Sequence, residues 1–212
     1  MTAIVIAVDG PAASGKGTVA RALARHFGVG HLDTGKLYRA VGLAVRLGGG
    51  DPRDAAAATT AAERLDEALL DDPDLMSAVN AESASIVSAH PAVRALLLAR
   101  QRAFAAQDGG AVLDGRDIGT VIAPDAPAKL FVTAVPGVRA ARRAAELARA
   151  GRPLAIEVVL ADILARDARD TGRATAPLIR ASDAVLLDTS NLDIAAAVTQ
   201  AIALVEARLR GG

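Results

Sequence analysis

The stretch Ile4-Val5-Ile6-Ala7-Val8-Asp9-Gly10-Pro11-Ala12-Ala13-Ser14-Gly15-Lys16-Gly17-Thr18 decides the fold. Its first half, residues 4–9, is a short β-branched run, the pattern of a strand buried on both faces. Its second half is glycine-rich, carries a lysine and a hydroxyl, and leads into residues 15–27, where Val19, Leu23 and Phe27 share one helical face. Strand, glycine loop and helix in that order make an anion cradle. Glycine lets the backbone curl until several N–H groups face one phosphate, and the helix N-terminus adds partial positive charge. Gly10, Pro11, Ala12, Ala13, Ser14, Gly15, Lys16, Gly17 and Thr18 are therefore the expected nucleotide phosphate site, with Lys16 reaching the outer phosphates. Gly17 stands where the general pattern has Ser or Thr, which displaces the hydroxyl to Thr18.

Working outward, a short strand is expected at His31-Leu32-Asp33 and a helix from Thr34, read as its cap, to the glycines at 48–50. Residues 51–107 read as mostly helical and alanine-rich, with a polar turn at 71–74 and a helix opened by Pro91. Strands are expected at 110–114, 129–133 and 184–188, and helices at 137–150, 154–171 and 193–209. Apolar strands alternating with helices imply an α/β fold with a parallel sheet covered on both faces.

At 212 residues the chain suffices for one core with small inserted subdomains. Lys+Arg and Asp+Glu each total 24, so no global field favours nucleic acid or an anionic membrane, and neither is expected as a partner. Any anion site must be local. The absence of cysteine excludes disulfides, thiolate catalysis and zinc–thiolate sites. The N-terminal apolar run lacks a basic flank and meets Asp9 at once, so it reads as a strand and not a signal peptide. No stretch approaches the ~18 apolar residues of a membrane span. The expectation is a cytoplasmic protein, monomeric by default.

Other clusters can serve a second anion. Arg39 follows Thr34 by about one helical turn. Asp114-Gly115-Arg116-Asp117 lies just past a strand's carboxyl end, where open α/β sheets bind ligands. Arg166, Asp170 and Arg173 fall on one helical face. Each has an alternative reading as a solvated arginine, an Asx turn, or the i, i+4 charge ladder Asp162–Arg166–Asp170. Arg139, Arg142 and Arg143 are either a cationic lid or a solvated helix face, and spacing does not choose.

Together and in order, GPAASGKGT, LDTGKLYR, ASIVSAHPAVR, LDGRDIGT and RDARDTGR resemble the motif set of bacterial cytidylate kinases, nucleoside monophosphate kinases of the P-loop class. The resemblance spans nearly the whole chain. It implies a P-loop kinase fold with a central parallel five-stranded sheet. The core would comprise about 1–33, 108–136 and 174–212, with a CMP-binding subdomain at about 34–107 and a lid at about 137–173. It implies phosphoryl transfer from ATP, with Mg²⁺, to CMP or dCMP, in pyrimidine nucleotide metabolism. ATP would lie on residues 10–18, near Arg142 and Ser190. Arg39, Arg116 and Arg173 would hold the CMP phosphate, with Thr34 beside them. Ser85, Arg94 and Asp117 would read cytosine, and Arg166 and Asp170 would contact the sugar. Lys16, Arg116 and Arg173 would act on the transferring phosphoryl group. Thr18 and, through water, Asp114 would serve the metal. Two departures stand out: residues 51–80 are shorter than the family's segment, with Met76 in place of an arginine, and Lys36 replaces a small or apolar residue.

The chemistry is consistent with that implication. A phosphate acceptor is already anionic, so transfer to it needs cations and positioning more than a strong base. An alcohol acceptor would want a carboxylate placed to take its proton. A third class, a non-enzymatic ATP-responsive module, would need no second anion site.

Overall fold

The computed structural model describes residues 4–211, so residues 1–3 and 212 of the expected core lie outside the described residues. The elements run β1 (Val5–Asp9), α1 (Lys16–Phe27), β2 (Gly30–Asp33), α2 (Thr34–Leu47), α3 (Ala55–Glu63), α4 (Ala78–Val87), α5 (Pro91–Ala105), β3 (Ala111–Gly115), β4 (Ala128–Thr133), α6 (Pro136–Arg149), α7 (Ile156–Thr171), β5 (Val185–Asp188) and α8 (Ile194–Arg210). Five strands form one parallel sheet in the order β2-β3-β1-β4-β5. β1 is central, as its apolar, both-faces-buried pattern requires.

The apolar stripe of α1 covers one face of this sheet. Val19 and Leu23 pack with Ile6, Val8, Leu130 and Leu187, joined by Ala201 and Val205 of α8. Each such fully buried Leu or Ile contributes about 1.5–3 kcal/mol. The other face buries Ala7, Leu113, Ile118 and Ile122, covered by α5 and by a wide π-type turn at Ile118–Ile122. A separate apolar cluster joins α2, α3, α4 and α5 through Leu37, Val41, Ala58, Ala84, Val93 and Leu97. A fourth cluster joins α6 to α7 through Ala140, Leu147, Val159 and Ile163.

Local capping explains several boundaries. Asp33, not Thr34 as the sequence suggested, is the N-cap of α2: its carboxylate accepts from Gly35 N. Thr34 is turned inward and donates to the Asp114 carbonyl at 2.8 Å, because the neighbouring strand end offers a buried acceptor. Asp54, Ser77 and Asp193 cap α3, α4 and α8 by the same logic. The short 51–80 segment holds α3 and two 3₁₀ turns, Glu67–Asp71 and Pro73–Met76, and the polar turn expected at 71–74 is the joint between them.

Candidate active site

The carboxyl ends of β1, β2 and β3, with α4 and α7, surround a cleft of about 620 Å³. The phosphate loop forms its floor. Gly10 has φ 154°, and a Cβ there would lie 2.0 Å from the Val132 carbonyl oxygen, so no other residue fits. Gly15, at φ 86°, turns the chain into α1 without any side-chain cap, which leaves the first helical N–H groups for a ligand. Distant residues hold the loop's carbonyls: Thr189 Oγ1 bonds Ser14 O at 3.1 Å and Arg139 Nη1 bonds Ala12 O at 3.1 Å. The Ser14 hydroxyl is fully buried and has no partner among the described residues. Burial pushes the Lys16 ammonium down to about 8, Arg116 adds to this, and Asp114 and Asp33 oppose it.

Facing the loop is a cluster of guanidinium groups. Arg116 leaves the end of β3 and donates through Nε to Asp170 Oδ2 at 2.7 Å. Burial disfavours its charge, yet Asp170, helped by Asp114 and Asp33, more than offsets this and raises its pKa. Burial disfavours the charged form of Asp170 too, and Arg116 and Arg166 outweigh it and lower its pKa. Burial, then the like charge of Arg116, pushes Arg166 down to about 9, and its Nε has no partner among the described residues. Arg173 stands 3.8 Å from Asp170, with Nε and Nη2 buried and without a partner among the described residues. Arg39, its pKa lowered chiefly by burial, donates to the Leu75 carbonyl at 3.2 Å. Buried guanidinium N–H groups without acceptors are costly. An anion in the cleft would satisfy them.

At the far end, Arg94 and Asp117 form a buried ion pair. Arg94 also donates to the Ser88 carbonyl at 3.3 Å and lies 5.5 Å from the Tyr38 ring centroid. One Asp117 oxygen takes the Arg94 bond, and no donor among the described residues bonds the other. Ser85 is buried in α4, off the lining of the cleft, and accepts from Arg169 Nε at 3.1 Å.

Asp114 is buried, with Oδ1 on His31 Nε2 at 2.8 Å. Its other oxygen lies 3.6 Å from where a Cβ on Gly17 would sit, so the carboxylate faces the phosphate loop. The Thr18 hydroxyl accepts from Arg21 at 3.4 Å. The described residues contain no group of three His, Cys, Asp or Glu side chains able to hold a metal alone. One carboxylate and one hydroxyl beside a phosphate site fit Mg²⁺, which keeps waters and takes substrate oxygens as ligands.

The cleft thus gathers Ala12 through Thr18, Thr34, Arg39, Arg94, Asp114, Arg116, Asp117, Arg166, Asp170 and Arg173. Gly10 and Pro11 are not part of its lining. Arg142 and Ser190 lie outside that lining, at the loop after β5. Arg142 donates to Thr189 Oγ1, Thr189 O and Leu192 O, and Ser190 accepts from Val135 N at 2.9 Å. Lys36 is an exposed residue of α2. Spacing did not single out Arg139, which is 3% exposed, or Asp9, whose carboxylate accepts from Ile118 N and Gly119 N at 2.8 Å each. An acid ending an otherwise apolar strand was the available signal for Asp9. Arg139 had none, since Arg142 and Arg143 share its helix.

The cytidylate kinase family pattern matches residues 6–207. Cytidylate kinase of Xanthobacter autotrophicus is 62% identical over 208 residues, covering 98% of this chain and 100% of that protein. Cytidylate kinases of Methylobacterium and Azorhizobium caulinodans are 61% and 57% identical, each over 98% of this chain and at least 99% of theirs. A crystal structure of an uncharacterized protein from Eubacterium ventriosum superposes with a TM-score of 0.54 at 14% identity, covering 96% of this chain and 98% of that one, a likeness of fold alone.

Proposed function

The chain belongs to the cytidylate kinase family, and from that premise we propose that it transfers the terminal phosphoryl group of ATP to the phosphate of CMP or dCMP. The observation that carries this reading is the pairing of two anion sites across one cleft. The phosphate loop with Lys16 lies on one side; Arg116, held by Asp170, and Arg166 and Arg173, each with buried N–H groups that have no partner among the described residues, lie on the other.

The residues divide the work by their chemistry. Loop N–H groups of residues 12–18 and Lys16 grip the ATP phosphates, and Lys16 follows the charge as it moves. Arg39, Arg116 and Arg173 hold the CMP phosphate in line, which offsets repulsion between two polyanions. Asp170 keeps Arg116 charged and in place, and Arg166 and Asp170 reach the sugar. Asp117 accepts from the cytosine amino group through its free oxygen while Arg94 holds the carboxylate, with Ser85 behind them. Thr18 and, through water, Asp114 would hold Mg²⁺, which when bound neutralises phosphate charge. Arg142 and Ser190 bracket the loop after β5 on the adenine side. The α3–α4 region and the α6–α7 pair are flaps that close to exclude water. No described helix is long and apolar enough to cross a membrane, and a cytoplasmic monomer needing no nucleic acid is the matching setting.

The test is ATP consumption with CMP, dCMP, UMP, AMP and shikimate offered separately, with Mg²⁺ and after chelation. Turnover mainly with CMP and dCMP, abolished by chelation, is the expected result. Turnover with UMP, AMP or shikimate in preference would break the cytosine assignments, and none at all would leave an ATP-responsive module.

A further inference from the structure

We propose that Arg139 is a positioning residue that couples ATP on the phosphate loop to the helix carrying the acceptor-side groups; the inference rests on the ATP and CMP reading of the cleft. Arg139 lies in the first turn of α6 and is 3% exposed. All three of its guanidinium nitrogens are engaged. Nε donates to the Ala134 carbonyl at 2.9 Å, and Nη1 to the Ala12 carbonyl at 3.1 Å. Nη1 and Nη2 together grip the Asp167 carboxylate at 3.2 and 2.6 Å. One planar fork therefore joins the end of β4, the phosphate loop and α7.

Each end of this link matters to a substrate. A trans peptide sets its carbonyl and the next N–H on opposite sides. Holding the Ala12 carbonyl toward Arg139 turns the Ala13 N–H away from it. Ala13 sits at φ 57°, a conformation a non-glycine residue keeps only with outside support. A phosphate accepting from that N–H fixes the same peptide plane, and so fixes an Arg139 acceptor. At the other end, Asp167 shares α7 with Arg166 and Asp170. Whatever sets the register of Asp167 sets theirs. The other arginines of α6 do not make this link: Arg142 serves Thr189 and Leu192, and Arg143 pairs with Glu146. Coupling of this kind is reciprocal, so ATP tightens CMP and CMP tightens ATP by one factor.

The experiment is calorimetric titration of CMP with and without a saturating non-hydrolysable ATP analogue and Mg²⁺. It compares the wild type with Arg139→Lys and Asp167→Asn. Lysine keeps a cation beside Asp167 but cannot reach three acceptors at once. In the wild type the analogue should tighten CMP by about fivefold or more. In both variants that factor should fall below about twofold, with the Kd for CMP alone little changed. A purely structural arginine would lower the melting temperature and leave the factor intact, as read in whichever variant stays folded. A retained factor in the variants, or none in the wild type, overturns the coupling. A wild type that binds no CMP even without the analogue overturns the substrate reading first.

Discussion

Replacing Asp117 with asparagine changes one atom's chemistry at the base end of the cleft. Asp117 is 5% exposed, and Arg94 already occupies one carboxylate oxygen. In the asparagine variant the single amide oxygen goes to Arg94, which can only donate. The amide NH₂ then faces the base. Against the cytosine amino group this sets donor against donor, whereas the uracil carbonyl at the same place finds a partner. A buried hydrogen bond left unmade costs about 1–3 kcal/mol. At 1.36 kcal/mol per tenfold, kcat/KM for CMP should fall by about 5- to 150-fold while that for UMP holds or rises. Initial rates of ADP release with each acceptor measure the ratio, and a melting curve checks the scaffold. Asp117→Ala separates the two effects, since it strands Arg94 in the interior. Removing one partner of a buried pair costs about 3–5 kcal/mol, and at roughly 2–4 °C per kcal/mol for a chain of this size the melting temperature should fall by about 6–20 °C. The Ser88 carbonyl and the Tyr38 ring still contact Arg94, which favours the lower end. An unchanged CMP/UMP ratio in Asp117→Asn would refute the assignment of Asp117 to the base.

Two further outcomes follow from the site. Lys16→Ala should lower kcat by about 100- to 1000-fold, since its charge acts where charge develops in the transition state; near-normal turnover would remove Lys16 from that role. Burial raises the Asp9 carboxyl from the ordinary 3.8 to about 6, the hydrogen bonds from Gly119 and Ile118 only partly opposing it. The folded chain thus holds this proton more tightly than the unfolded one. Its contribution is full below pH 4 and is lost as pH rises through 6, a change of about 3 kcal/mol. Urea melts of the wild type and Asp9→Asn at pH 3.5 and 7 should show that difference in their gap, and a gap independent of pH would contradict it.

Much of the fold was legible because its signals are local. A β-branched run, a glycine loop and an amphipathic helix are adjacent in sequence, so the phosphate loop and the parallel sheet could be read directly. Boundaries set by competition were not. Thr34 is a good cap in isolation, but the Asp114 carbonyl attracts its hydroxyl, and Asp33 caps instead. The alanine-rich 51–80 segment has too little apolar contrast to reveal two 3₁₀ turns. The arginines of α6 differ only in what the fold brings to them: Arg139 meets the Ala12 carbonyl and the Asp167 carboxylate, both from distant parts of the chain, while Arg143 meets solvent and Glu146. No spacing rule carries that information.

The phosphate-loop region is held at three points by late parts of the chain. Asp9 accepts from residues 118 and 119, Ala12 O from Arg139, and Ser14 O from Thr189, 175 positions downstream. The segment that reads most plainly in the sequence thus depends for its working shape on residues as far as 175 positions away. Its nucleotide-gripping geometry has its full set of supports only once Thr189 has been made and has joined the fold.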